Sequence, residues 1–165
     1  MTPADNADLQ HQIELNRRVE APPTRVWEVV TDLHRAPERL SQITDLQMIT
    51  DGPYALGTRW RETRRMMGSS ETQEMVVVEN DPGRSTTLQA VDGGTTYRTT
   101  LILESLDGSA STLLTIRFGA SIADPNRLQR LALKVVGPLG IKLTERSLRT
   151  ELDDIAAAAE ALHRG

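Results

Sequence analysis

The sequence predicts an α+β domain: a curved, seven-stranded antiparallel sheet, a short helical corner between its first two strands, and a long C-terminal helix laid across one face. Three observations lead there. Residues 43–122 alternate between Thr- and Val-rich runs and five Gly/Pro/Asp turns. Pro22-Pro23 ends an initial strand and opens a helix, and the last part of the chain carries an apolar stripe at helical spacing.

The elements follow in order. Residues 1–11 are polar and small with no period, which predicts a flexible N-terminus ahead of one domain over 12–163. Over 12–19, Ile13, Leu15, Arg17 and Val19 share one side of an extended run, and Glu14, Asn16 and Arg18 share the other. Pro23 suits the first turn of a helix, where its missing N–H costs nothing. Val26, Val29, Val30 and Leu33 then recur at helical spacing, so 23–32 reads as a short amphipathic helix. Pro37 bends the chain, and 38–40 adds another helical turn.

Turns at Asp51-Gly52-Pro53, Gly68-Ser69-Ser70, Asn80-Asp81-Pro82-Gly83, Asp92-Gly93-Gly94 and Asp107-Gly108-Ser109 delimit strands at 43–50, 57–67, 71–79, 85–91, 95–106 and 111–122. The connections are of hairpin length, which makes the run an antiparallel meander. In the terminal helix, Leu143, Leu148, Leu152, Ile155, Ala159 and Leu162 fall on one stripe. Residues 126–136 are also helical in pattern, and Gly137-Pro138-Leu139-Gly140 kinks or breaks the helix between them.

Composition narrows the function. The chain has 165 residues and a formal net charge of −4, with 38% hydrophobic and 25% charged side chains, which fits one folded domain and excludes a disordered tail. Its apolar stretches fall short of the ~20 residues a membrane-spanning helix needs. The absence of cysteine removes disulfides, thiolate zinc sites and a cysteine nucleophile together. An acidic balance opposes general nucleic-acid binding. The N-terminal residues lack an export signal, so a cytoplasmic protein is expected. His11, His34 and His163 stand without metal-ligand spacing; no metal or cofactor is expected, and His34 reads as an exposed corner residue.

A sheet bent around a long helix touches it along the middle and leaves a hollow toward the ends. The run Val19-Glu20-Ala21-Pro22-Pro23-Thr24-Arg25-Val26-Trp27-Glu28-Val29-Val30-Thr31-Asp32, followed by Pro37, resembles the opening of the SRPBCC superfamily, which takes in START lipid-transfer and pollen-allergen-like proteins. Gly57-Thr58-Arg59-Trp60-Arg61-Glu62-Thr63-Arg64-Arg65 resembles the third strand of its polyketide cyclase/dehydrase-like branch. The resemblance spans about 13–162 and implies a helix-grip fold. It also implies either binding or transport of a small hydrophobic or amphipathic ligand, lipid-like or polycyclic, or a ring-closing cyclase/dehydratase in the same cavity.

Strand alternation selects the lining side chains. In the third strand Trp60, Glu62, Arg64 and Met66 share a face assigned inward, since arginines are cheap in water and a tryptophan is not. Glu62 and Arg64 then lie roughly 6.6 Å apart along the strand, close enough to pair and to orient a ligand carbonyl, hydroxyl or carboxylate. Tyr97, Thr99 and Leu101, with Leu114, Ile116 and Phe118, form the inward faces of the last two strands, where Tyr97 can offer a phenol to a ligand oxygen. Met48 and Met66 supply deformable walls, and Leu148, Leu152 and Ile155 form the helix side. Glu62, Arg64 and Tyr97 are the candidates for catalysis if the protein is an enzyme. The corner at 33–42 and the loop 51–56 are expected to open as an entrance. The segment 126–143 is a candidate surface for a membrane or partner, and the protein is expected to be a monomer or homodimer.

Overall fold

In the computed structural model, which describes residues 11–66, 68–123 and 137–165, the alternating runs pair into one antiparallel sheet. Strand β1 is His11–Val19, β2 Ile43–Met48, β3 Arg59–Met66, β4 Ser69–Asp81, β5 Ser85–Asp92, β6 Thr95–Leu106 and β7 Ser111–Ile122. Their spatial order is β1-β7-β6-β5-β4-β3-β2, so consecutive strands from β2 to β7 are neighbours and β1 returns to pair with β7.

Helix α1, Pro23–Thr31, begins with its proline in the first turn and buries Val26 and Val29. A 3-10 turn at Leu33–Arg35 leads into the short helix α2, Ala36–Arg39. The long helix α3, Pro138–Arg164, has 27 residues and spans ~40 Å at ~1.5 Å per residue. Pro138 stands in its first turn after Gly137, so the Gly-Pro pair starts this helix. The pattern read over 126–136 lies outside the described residues.

Several strand boundaries differ from expectation by one or two residues, and two of these shifts have a visible cause. The second strand stops at Met48 because the N–H groups of Ile49 and Thr50 both turn onto the carbonyl of Arg59, at 2.9 and 3.1 Å, which ends the one-to-one ladder. Strand β4 runs longer than expected, to Asp81, where Pro82 and a left-handed Gly83 (φ +80°) close a tight turn with Arg84 N–H on Asp81 O.

Curvature has a local cause. Register shifts between Ile43 and Asp45 and between Val77 and Glu79 mark irregularities that bend and twist the sheet. On its concave side one cross-strand row runs Met48–Trp60–Met75–Ala90–Tyr97–Ala120. The next runs Val77–Leu88–Thr99–Phe118–Ile13. The buried apolar side chains fall into two clusters. One joins α3, α1, β1, β6 and β7 through Leu148, Leu152, Ile155, Val26, Leu101, Leu114 and Ile116; the other joins Leu33, Trp60, Met75, Val77 and Ala90.

Candidate functional site

Trp60 and Glu62 point inward from β3, 1% and 4% exposed, as the alternation of that strand requires. The Trp60 indole Nε1–H donates to Glu62 Oε2 at 2.8 Å, and Arg64 Nε–H donates to Glu62 Oε1 at 2.5 Å. Arg64 then reaches the helix. Its Nη1 and Nη2 donate to Glu151 Oε2 and Oε1 on α3, at 2.7 and 3.3 Å. Glu151 is buried, flanked in sequence by the core residue Leu152 and one turn from Leu148. A hydrogen-bonded chain therefore leads from the Trp60 cluster through Glu62, Arg64 and Glu151 to the α3 cluster.

Burial works against the charge of Arg64, but the fields of Glu151 and Glu62 and their hydrogen bonds outweigh it and hold the guanidinium above its ordinary value. It stays charged. Such a group is a costly way to join a helix to a sheet, since a buried ionic cluster is often no more stable than an apolar one of the same shape. Arg64 retains 22% side-chain exposure within this cluster, against 5% for Glu62 and 11% for Glu151.

Residues 10–160 match the family described as polyketide cyclase/dehydrase and lipid transport. The chain belongs to that family. No curated protein matches the sequence. Among solved structures, the protein TTHA0849 from Thermus thermophilus is similar at 19% identity and a TM-score of 0.72, covering 92% of this chain and 99% of that one. The Zhui aromatase/cyclase from Streptomyces sp. R1128 is similar at 16% identity and a TM-score of 0.72, covering 91% and 93%. A START superfamily protein from Mycobacterium smegmatis is similar at 17% identity and a TM-score of 0.68, covering 93% and 97%. At these identities the likeness is one of fold, the helix-grip arrangement shared across the family.

The remaining sequence candidates of this family member separate by position. Tyr97 lies on the same concave row as Trp60 but three strands away, ~14 Å along the sheet at ~4.8 Å per strand, so it does not join the Glu62–Arg64–Glu151 group. It stacks on Phe118 with ring centroids 6.2 Å apart. Its hydroxyl is pushed up by burial and by Asp92 and Glu71, against a hydrogen bond with Thr95. Thr99, Phe118 and Met48 are half-buried on the concave side. Leu101, Leu114, Ile116, Leu148, Leu152 and Ile155 are buried together in the α3 cluster. The backbone of Met66 ends β3; its side chain lies outside the described residues.

Glu151 was missed. It stands between Leu148 and Leu152, on the stripe that faces the sheet, and a carboxylate at that phase of an apolar stripe is the signal that could have found it. The two segments expected to open as an entrance are hydrogen-bonded to α3 and to β5. Ser41 N–H and Oγ–H both donate to Asp154 Oδ2 at 2.7 Å, and Gln42 exchanges hydrogen bonds with Ser147 on α3. In the loop 51–57, Tyr54 bonds Thr86 on β5 at 2.7 Å and meets Trp27 edge to face. Among the described residues no group of three or more His, Asp or Glu could hold a metal ion, and no helix is long and apolar enough to cross a membrane.

Proposed function

We propose that the protein encloses a small apolar or amphipathic guest, lipid-like or polycyclic, between the concave face of the sheet and α3. The observation that carries this reading is the division of the buried apolar side chains into two clusters, with the ionic chain Glu62–Arg64–Glu151 bridging them. A sealed interior would favour one continuous core. The half-buried Met48, Tyr97, Thr99 and Phe118 supply apolar and polar wall on the concave side. Enclosing ~300 Å2 of apolar guest surface contributes about 7 kcal/mol before ordering costs, enough for useful affinity without a strong polar contact. A single domain over 12–163, working as a monomer or homodimer in the cytoplasm, suffices for this role.

Native mass spectrometry of freshly purified protein, followed by titration with the apolar fluorophore N-phenyl-1-naphthylamine, tests it. A retained apolar mass, or saturable fluorescence enhancement displaced by long-chain alcohols, is expected. An empty protein that enhances no fluorescence would overturn the proposal.

A second reading is ring closure or dehydration of a reactive chain in the same space. The family match and the fold shared with an aromatase/cyclase favour it. Glu62 and Arg64 would orient the chain, and Tyr97 would supply a phenol at the far end of the site. In an assay with a poly-β-keto thioester this reading expects turnover that Arg64→Ala abolishes; turnover by neither protein retires it.

A further inference from the structure

We infer that the guest's polar end is a hydrogen-bond donor, best of all a protonated amine, received by Glu62 and Glu151, and that the site rejects carboxylates. This deepens the enclosure reading and rests on it.

Charge is the first ground. The ionic chain holds two carboxylates and one guanidinium, a formal sum of −2 + 1 = −1, at a position where Glu62 and Glu151 are 4% and 9% exposed. An anionic guest would bring a like charge to a place with little water to screen it, and a cation would bring the sum to zero.

Hydrogen-bond capacity is the second. Arg64 has five N–H groups, of which three are engaged, leaving about two. The two carboxylates have about eight acceptor positions between them, of which four are filled, by Trp60 once and by Arg64 three times. Acceptors outnumber donors. A guest that brings N–H or O–H groups fills what the protein leaves open, whereas a guest carboxylate adds acceptors to a surplus.

Geometry is the third. The two Nη atoms, the fork with which an arginine grips a carboxylate, already hold Glu151, and Nε holds Glu62. No two-pronged edge of Arg64 remains for a guest anion. The surroundings carry the same sign: Glu71 stands opposite Arg64 in the β3–β4 pair, and the fields of Asp92 and Glu71 reach the Tyr97 hydroxyl. Arg61 and Arg65 alternate to the convex side of β3, away from the guest.

Three probes with one ring system separate the head groups: 2-naphthylmethylamine, 2-naphthalenemethanol and 2-naphthoate, titrated calorimetrically into the intact protein at pH 7. The ammonium is expected to bind at least about tenfold tighter than the carboxylate, with the alcohol between them. Glu151→Gln and, separately, Glu62→Gln should narrow that gap below about threefold, with the alcohol little changed. Glu104→Gln, at an exposed position, changes the net charge equally and should leave the gap intact. Should either interior variant fail to fold by circular dichroism, the other and the wild-type ratio still decide. A carboxylate that binds as tightly as the ammonium overturns the inference while enclosure stands, as does a gap that survives both interior variants. Failure of all three probes, the neutral alcohol included, overturns enclosure itself and this inference with it.

Discussion

Arg64 on β3 presents both Nη atoms to Glu151 on α3, across 87 residues of sequence, while its Nε is held by Glu62 on its own strand. One guanidinium thus keeps two buried carboxylates apart and joins the middle of the helix to the sheet. Removing it should cost far more than the net worth of the cluster, because two carboxylates would remain buried without their cation. Arg64→Met is expected to lower stability by about 3–5 kcal/mol in urea unfolding. The triple variant Arg64→Met/Glu62→Gln/Glu151→Gln should recover at least half of that loss. A loss of under about 1 kcal/mol for the single variant would show that water already reaches and solvates both carboxylates.

Tyr54 sets an alkaline limit on the fold. Thr86 Oγ–H donates to the carbonyl of Glu79 at 3.2 Å, so in the 2.7 Å contact with Tyr54 it is the phenol that donates. Burial pushes the Tyr54 hydroxyl up to about 12. The folded state therefore keeps this proton over a range in which the unfolded chain, titrating near ~10, has released it. Stability should be level below about pH 10 and fall between about pH 10 and 12, by on the order of 2 kcal/mol. Tyr54→Phe should flatten most of that decline, leaving the part due to Tyr97, whose hydroxyl is shifted in the same direction. Urea midpoints taken from pH 8 to 12, alongside tyrosinate absorbance at 295 nm, check this; an unchanged alkaline slope in Tyr54→Phe would assign the loss elsewhere.

Alternation made the sheet legible. Trp60 and Glu62 are buried and Arg59, Arg61 and Arg65 exposed because a strand's period of two forces the choice once one face must hold a tryptophan. Glu62 and Arg64 could be paired from that period alone, being successive residues of one face. Glu151 could not be joined to them, because no local rule says which turn of a helix lies over which strand. The same limit hid the anchoring of the corner: Ser41 and Gln42 look like loop residues, and their partners Asp154 and Ser147 are more than a hundred positions away. The end of β2 at Met48 was equally hidden, since it depends on two N–H groups converging on one carbonyl of a different strand.

That anchoring gives a dynamic prediction. Asp154 Oδ2 accepts from both the N–H and the hydroxyl of Ser41, and these bonds hold the exit of α2 against α3. Asp154→Ala leaves the backbone N–H of Ser41 to water and should release the corner without disturbing the buried core. Hydrogen exchange over 36–43 is expected to quicken by about tenfold or more, while amides of β6 and β7 keep their protection. Equal acceleration everywhere would mean that Asp154 contributes to global stability and not to the corner.

The turn between β6 and β7 predicts the acid behaviour. Asp107, Gly108 and Ser109 follow one another with φ of +50°, +63° and +73°, a left-handed run that side chains other than glycine and Asn/Asp resist. Asp107 holds the run in place: its Oδ2 accepts from Ser111 Oγ at 2.9 Å and from Arg18 Nη2 on β1 at 2.6 Å. The Ser111 and Arg18 hydrogen bonds, with the charge of Arg18, hold the Asp107 carboxyl below its ordinary value. A carboxyl shifted that way adds stability that is present above the ordinary carboxylate range, about pH 4, and is lost as pH falls through the lower folded value. Asp107→Asn keeps the tolerance for left-handed backbone and an oxygen for Ser111 but gives up the charge. It should lower the Tm at pH 7 and shrink the drop in Tm between pH 5 and pH 2, whereas Asp107→Ala should lower the Tm further by removing the oxygen as well. Thermal melts of the three proteins across that range decide the matter, and an acid slope as steep in the Asn variant as in the parent would place the titrating group outside this turn.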